Sequence, residues 1–301
     1  MPTTTSPSLT STVAVVTGAS RGAGRGIALA LGAAGATVYC LGRTRRGGPP
    51  PIDGAPGTID DTADQVTARG GHGIAVRADC TDDAEVAAAF AQVERDHHAP
   101  DVLANAVWGG HDLFATHDEW MAAARRPFWE GASRFWTATM GGGPQAYLLA
   151  SAHAARLMAP RRRGLIVGIT DFVFGDPEAP PKGDYMPGML FPIVAHDCIN
   201  RLMACMAGEL KANGIAVITL MPGFMRTERV ERAMTSEALK KSFRYDLAES
   251  VEYIGRAVAA LAADRAAIAK TGRIHYVGDL AAEYGFTDVD GVRRPRFDPF
   301  S

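Results

Sequence analysis

Seven short runs dominated by Val, Ile and Leu recur along this chain, and a parallel sheet is the architecture that uses them all. They fall at Val13–Thr17, Thr37–Leu41, Gly73–Ala78, Asp101–Asn105, Leu165–Ile169, Ile215–Leu220 and Arg273–Val277. Each is nearly continuous in apolar residues rather than alternating, as strands buried on both faces are. Between them lie Ala-rich helical stretches at roughly 24–34, 58–69, 82–97, 142–159, 193–212 and 248–263. This alternation predicts an α/β fold: a single Rossmann-like, doubly wound parallel sheet of about seven strands, helices on both faces and right-handed crossovers. No internal repeat or second apolar core is visible, so 13–301 is expected to be one domain behind a Ser/Thr/Pro-rich flexible leader at 1–12. Three stretches interrupt the pattern: 43–57 is rich in Gly and Pro, 107–140 is aromatic, and 171–191 carries four prolines and three glycines. Pocket loops are expected at 107–140, 171–191 and 224–245, because such folds place ligands at the carboxyl ends of their strands.

Composition excludes several classes of partner. A net charge of −2 supplies no basic face for nucleic acid. No run reaches the roughly eighteen apolar residues of a membrane span. The leader lacks the basic start and apolar core of a secretory signal, so a cytoplasmic protein is expected. Cys40, Cys80, Cys198 and Cys205 show neither metal-ligand spacing nor a Cys-x-x-Cys pair, which points to reduced thiols. His111, His117 and Asp112 lack a further ligand at suitable spacing, so no metal is expected. Arg161-Arg162-Arg163 precedes an apolar strand and is expected to be a solvated turn.

The first apolar run leads into Thr17-Gly18-Ala19-Ser20-Arg21-Gly22-Ala23-Gly24 and then an Ala/Leu helix. A Gly-rich turn between strand and helix lets the backbone approach a pyrophosphate, and the helix start offers unpaired N–H groups. At the end of the second strand, where an NAD-binding chain wants a carboxylate for the ribose hydroxyls, stand Gly42 and Arg43. Two guanidinium groups at that corner, Arg21 and Arg43, suit a 2′-phosphate, so NADP(H) is expected over NAD(H).

The Thr-Gly-x-x-x-Gly-x-Gly spacing resembles that of the short-chain dehydrogenase/reductase family, and the resemblance extends over about 12–286. It implies cofactor roles for Gly18, Ser20, Arg21, Gly22, Gly24 and Arg43, with Asp79 against the adenine. Asn105-Ala106-Val107 resembles the Asn-Ala-Gly that closes the fourth strand over the adenosine, with the last Gly replaced. Met221-Pro222-Gly223 through Thr227 resembles the Pro-Gly motif beside the nicotinamide, with Thr227 contacting the carboxamide or pyrophosphate. Pro56-Gly57-Thr58-Ile59, Phe128-Trp129-Glu130 with Trp136, and Tyr284-Gly285-Phe286-Thr287-Asp288 are similar to a subgroup with long loops around the pocket. Helices at 142–159 and 193–212 form subunit interfaces in this family, which implies a homodimer or homotetramer. The stripe Ile199, Leu202, Met203, Met206 and Leu210 is compatible with an interface and equally with intrachain core.

The same resemblance fails where proton chemistry is expected. Family members carry an Asn, a Ser, a Tyr and a Lys. Aligned by the flanking segments, those positions fall within Gly141–Gly143 and at Asp171, Pro192 and His196. Asp171, His196 and Tyr185 are the candidate catalytic residues. A carboxylate at Asp171 opposes the oxyanion of ketone reduction but favours a cationic iminium, or protonates an imine if burial raises its pKa. It also serves equally as a cap or tether for the following loop. His196 can bond the ribose, shuttle protons near neutral pH, or simply be a satisfied histidine. Tyr185 sits among Pro and Gly and is either a substrate contact or a plain loop aromatic. Trp108, Trp120, Phe128, Trp129, Phe135 and Trp136 either pack the loop or wall a pocket for a flat or cationic ligand.

The function expected is therefore an NADP(H)-dependent oxidoreductase with a non-standard site, acting on a small molecule. Its preferred substrate is an imine, an iminium or an activated double bond rather than a simple ketone. The alternatives are a non-redox enzyme (cyclase, isomerase or lyase) on the same scaffold and a cofactor-binding pseudoenzyme.

Overall fold

A computed structural model describes residues 8–124, 126–171, 189–242 and 244–297. Its first half runs β1 (Val13–Thr17), α1 (Gly22–Ala33), β2 (Thr37–Gly42), α2 (Ile59–Ala68), β3 (His72–Arg77), α3 (Asp83–His97), β4 (Val102–Asn105), α4 (His117–Ala124), α5 (Ala132–Met140) and α6 (Ala146–Met158). Then follow β5 (Gly164–Ile169), α7 (Leu190–Leu210), β6 (Ile215–Met221), β7 (Met225–Arg226), α8 (Glu228–Ala233) and α9 (Glu237–Ser242). The chain continues through β8 (Glu249–Ser250), α10 (Val251–Ala263), β9 (Ile274–Tyr276) and α11 (Val277–Tyr284). Seven strands form one parallel sheet in the order β3-β2-β1-β4-β5-β6-β9, and β7 pairs with β8 apart from it. The winding direction reverses between β1 and β4, which opens a crevice at their carboxyl ends.

The strand runs are apolar throughout because both faces are covered. In β1, Ala14 and Val16 enter one core while Val13 and Val15 enter the other. The first core takes Ile27, Ile59, Val258 and Leu280 from α1, α2, α10 and α11. The second takes Phe90, Tyr147 and Ile199 from α3, α6 and α7. α1 crosses α10 backbone against backbone: a Cβ on Gly26 would lie 1.8 Å from the Val251 carbonyl oxygen. That approach fixes where the start of α1 sits above the sheet.

Several expectations change. The helix expected at 142–159 begins at Ala132 as α5, passes through a π turn at Gly141–Gln145 and continues as α6. Pro144 lies inside that turn, whose wider winding accommodates a residue with no N–H. The 107–140 and 224–245 stretches, expected as loops, thus hold α4, α5, α8 and α9. Of these, α8 and α9 are six residues long and α8 buries none of its residues, so it shows no apolar stripe that marks a helix in sequence. The α7 stripe is intrachain core: Ile199 and Met203 are buried, and Leu202, Met206 and Leu210 pack on the same cluster. The arginine turn is also more than solvated, since Arg161 and Arg163 both pair with Asp101. Among the described residues no helix is long and apolar enough to cross a membrane.

Candidate active site

The crevice begins where β1 turns into α1. Gly18 has φ +69°, and a Cβ there would lie 2.7 Å from the Ala106 carbonyl oxygen, so the position needs glycine. Thr17 Oγ1 accepts from the Ala106 N–H (3.2 Å) and donates to Asn105 Oδ1 (3.5 Å); Asn105 Nδ2 donates to Ser151 Oγ (3.0 Å). The ends of β1 and β4 are thereby tied together, with Gly18 and Asn105 side by side. Ser20 is buried in the same turn. At the start of α1 the Gly22 N–H donates to Glu228 Oε2 (2.8 Å), while Glu228 Oε1 pairs with Arg25 (3.2 Å). A carboxylate thus sits where a helix start attracts anions. Thr227 is next to it: its Cγ2 lies 3.8 Å from where a Gly22 Cβ would be, and its Oγ1 accepts from the Val230 N–H (3.2 Å), capping α8. Gly22 and Thr227, 205 positions apart in sequence, meet here.

Arg21 turns its side chain along the chain leaving β2. Nε donates to the Pro56 carbonyl (3.2 Å), and Nη2 donates to the Gly57 carbonyl (2.9 Å) and Thr44 Oγ1 (3.2 Å). Arg43 pairs with Asp112, and its Nη1 lies 4.0 Å from Asp79 Oδ2. Asp79 also accepts from the Thr81 N–H (3.0 Å) and hydroxyl (2.7 Å). Arg21 and Arg43, the two cations behind the NADP(H) expectation, are each engaged by other groups of the protein. On the far rim, Pro222 is buried and Gly223 lies against Glu249: a Cβ on Gly223 would be 3.0 Å from Glu249 Oε2. Glu249 is itself buried, and burial, reinforced by Asp288, pushes its pKa up to about 8 against the opposing Gly223 N–H and Arg294.

The chemistry end lies where β5 meets α7. Pro192 occupies the first turn of α7, where an N–H would be unpaired in any case. One turn later, His196 Nδ1 accepts from the backbone N–H of Asp171 (3.1 Å). The imidazole stacks on Trp108 from the chain leaving β4, with ring centroids 4.5 Å apart and planes at 22°. Burial pushes the His196 pKa down to about 4. The ring is therefore neutral at physiological pH, its Nδ1 is an acceptor, and its Nε2 carries the hydrogen. This departs from a proton shuttle near neutral pH: the ring stays neutral there, held through Nδ1 by the Asp171 N–H. Asp171 is exposed, which removes the burial that an acid role for its carboxyl required. The π turn lies beneath Trp108: a Cβ on Gly143 would touch Trp108 Cζ3 at 3.4 Å, and the Gly109 N–H donates to the Gly142 carbonyl (3.0 Å). Phe135 of α5 stacks on Phe191 of α7 (5.4 Å, 16°). Phe128, Trp129 and Trp136 are exposed instead of packing the loop. Tyr185 lies outside the described residues.

Sequence reasoning did not anticipate four participants: Glu228 on the helix start, Asp112 on Arg43, and the ion pair of Asp53 with Arg229 (2.5 Å). Glu228 alone left a trace, as an acidic residue directly after the Pro-Gly segment and its Thr.

A crevice at the strand ends, where the winding reverses, is where doubly wound α/β sheets hold dinucleotides. Residues 12–173 match the short chain dehydrogenase family. Dehydrogenase/reductase SDR family member 1 of Mus musculus is 35% identical over 297 residues, covering 96% of this chain and 86% of that protein. Its Homo sapiens counterpart is 33% identical over 287 residues, covering 93% and 83%. A short chain dehydrogenase structure from Mycobacterium thermoresistibile shares the fold with a TM-score of 0.73 at 21% identity, covering 97% of this chain and 96% of that one. The chain belongs to the short-chain dehydrogenase/reductase family.

Proposed function

We propose that this protein is an NADP(H)-dependent oxidoreductase acting on a small organic molecule that bears an imine, an iminium or an activated carbon–carbon double bond. The observation that carries this reading is His196, neutral and held through Nδ1 by the Asp171 N–H, one turn after Pro192. A ketone that accepts hydride becomes an alkoxide and needs an acid beside it. An iminium, including an imine protonated by solvent before hydride arrives, becomes a neutral amine and no proton moves in the site; an activated carbon–carbon double bond becomes a resonance-stabilised anion that solvent protonates at carbon. A neutral imidazole N–H orients a ribose hydroxyl or a substrate acceptor but gives up no proton at physiological pH. Asp171 adds negative charge beside the site, and the Trp108 face adds a surface that attracts a cation or a flat ring.

The crevice fits a dinucleotide. Gly18 leaves no space for a side chain above the β1 turn, and the Gly22 N–H already holds an anion, the Glu228 carboxylate, as a stand-in for phosphate. Ser20, Gly24, Asp79, Asn105, Pro222, Gly223 and Thr227 line the remainder, and Arg21 and Arg43 favour the 2′-phosphate form. The cofactor, when bound, supplies the hydride; the chain orients it and manages charge. Leu148 of α6 and Val194 of α7 are exposed apolar residues, which supports a homodimer or homotetramer through these helices. A cyclase, isomerase or lyase would use Asp171 or His196 for acid–base work, and of the two His196, pushed down to about 4, is a weak base.

The test is NADPH oxidation across cyclic imines and matched ketones, for the native chain and Asp171→Ala. Imines are expected to turn over at least about tenfold faster, with the variant losing about tenfold of that rate. Undiminished imine turnover in the variant removes Asp171 from the mechanism. Preference for ketones overturns the substrate class.

A further inference from the structure

Two chain segments that the sheet keeps far apart are joined above it. β2 and β6 are separated by β1, β4 and β5, which is four strand spacings, or about 19 Å. Yet Asp53, in the chain that leaves β2, meets Arg229 of α8, beyond β6, with Nε to Oδ2 at 2.5 Å. The contact is doubled, because Arg232 Nη1 donates to the Asp53 backbone carbonyl (2.9 Å). A link between those rims passes over the carboxyl ends of β1, β4 and β5, where an open α/β sheet holds its ligand.

The flanking structure anchors the link at both ends. Asp53 also accepts from the Ala55 N–H (3.1 Å), and Arg21 grips the same segment through the Pro56 and Gly57 carbonyls. At the other end Thr227 caps α8, and Glu228 Oε1 pairs with Arg25 of α1 (3.2 Å). His111, in the turn Gly110–Leu113 after β4, is close enough to the pair for both charges to act on it. The link therefore runs near the chain leaving β4 as well as joining the segments beyond β2 and β6. The Arg229 and Asp53 side chains are 25% and 13% exposed, so salt screens the pair less than a surface contact. Burial works against the Asp53 carboxylate, but Arg229, the Ala55 N–H and Arg21 together hold its pKa below the usual range.

We propose that Asp53 and Arg229 form an ionic clasp across the dinucleotide crevice and set how fast the cofactor is released. They are positioning residues; neither is assigned a contact with the reacting atoms. The proposal rests on reading the crevice as a nicotinamide dinucleotide site. Losing one partner of a shielded charge pair acts mainly on dissociation, so the off-rate is the quantity to measure.

The experiment follows NADPH release from the full chain by stopped-flow fluorescence, with no substrate present. It compares the native protein, Asp53→Asn, Arg229→Gln, and the exchange of both charges, Asp53→Arg with Arg229→Asp. Each single variant is expected to release NADPH about five- to tenfold faster, and the exchange to bring the rate back to within about threefold of native. Thermal melts of all four proteins check folding, and Arg229→Lys, which keeps the charge, is expected to fall between native and Arg229→Gln. Native release rates in both single variants overturn the clasp and leave cofactor binding standing. Faster release that the exchange does not reverse also overturns it, by assigning the effect to packing. A native protein that binds neither NADPH nor NADH overturns the clasp together with the reading beneath it.

Discussion

Glu249→Gln tests whether a buried carboxyl under the Pro-Gly segment is held protonated. Glu249 is 2% exposed; its Oε1 has no hydrogen-bond partner among the described residues, and its Oε2 lies against Gly223. The charged groups that face it are Asp288 and Arg294, and Asp288 has cations of its own in Arg294 (3.6 Å) and Arg226 (3.9 Å). An ionised Glu249 would therefore be poorly compensated, and burial raises its pKa from 4.5 to about 8. A carboxyl whose folded pKa lies above its unfolded one binds more protons when folded. Stability is then complete below pH 4.5 and is lost as pH rises toward 8. At about 1.4 kcal/mol per unit, the loss reaches about 3 kcal/mol at pH 7 and about 4–5 kcal/mol above pH 8.

Glutamine has the same shape, keeps an oxygen for the Gly223 N–H and does not titrate. Urea denaturation of both proteins at intervals from pH 5 to 8.5 is the assay. The two are expected to differ little near pH 5, with the variant gaining on the native chain by about 1.4 kcal/mol per unit up to pH 8. A stability difference that is constant with pH, or that moves against the variant as pH rises, refutes the assignment of a protonated Glu249.

Gly18→Ala combines a positive φ with a Cβ 2.7 Å from a backbone oxygen. It is expected to cost about 2 kcal/mol or more in urea melts and to weaken NADPH binding at least about tenfold. Unchanged affinity would mean that the dinucleotide avoids this turn. His196, pushed down to about 4 by burial, is expected to show its imidazole titration by NMR near that value rather than near 6.5. Because the folded form resists protonation, His196 contributes full stability above pH 6.5 and loses at most about 3 kcal/mol as pH falls toward 4. The advantage of the native chain over His196→Gln should shrink across that window. A titration near 6.5 would restore His196 as a proton-transfer group and undo the argument against ketones.

The parts of this molecule legible in its sequence are those whose cause is local. β1, buried on both faces, is a run of five apolar or β-branched residues, and its ends are those expected. Gly18 is legible because its backbone conformation admits little else, and the turn it makes dictates what can lie above it. By contrast α8, with the sequence ERVERA and no buried residue, shows no stripe from which a helix could be inferred. The positions of Asp171 and His196 were recoverable by spacing, but their behaviour was not. Whether His196 is a shuttle or a neutral ring depends on Trp108, 88 positions away, and on burial that no periodicity encodes.

The same distinction applies more sharply to the crevice. Glu228 meets Gly22 across 206 positions and Arg229 meets Asp53 across 176, with Glu228, Arg229 and Asp53 lying in segments that sequence marks only as loop. Such contacts follow from topology: once the strand order places β2 and β6 on opposite rims, charges projecting from the segments beyond them can meet only over the site. The sheet was legible without them, whereas they become legible only through the sheet. The Arg43 corner shows the same dependence on contacts that sequence does not display. The charge of Arg43 was readable, but its engagement with Asp112 and its approach to Asp79 were not, and a 2′-phosphate must compete with both carboxylates for the same guanidinium. If the crevice holds NADP(H), as proposed, Arg43 would grip the 2′-phosphate only as far as Asp112 and Asp79 yield it, so preference would rest on those three side chains together with Arg21.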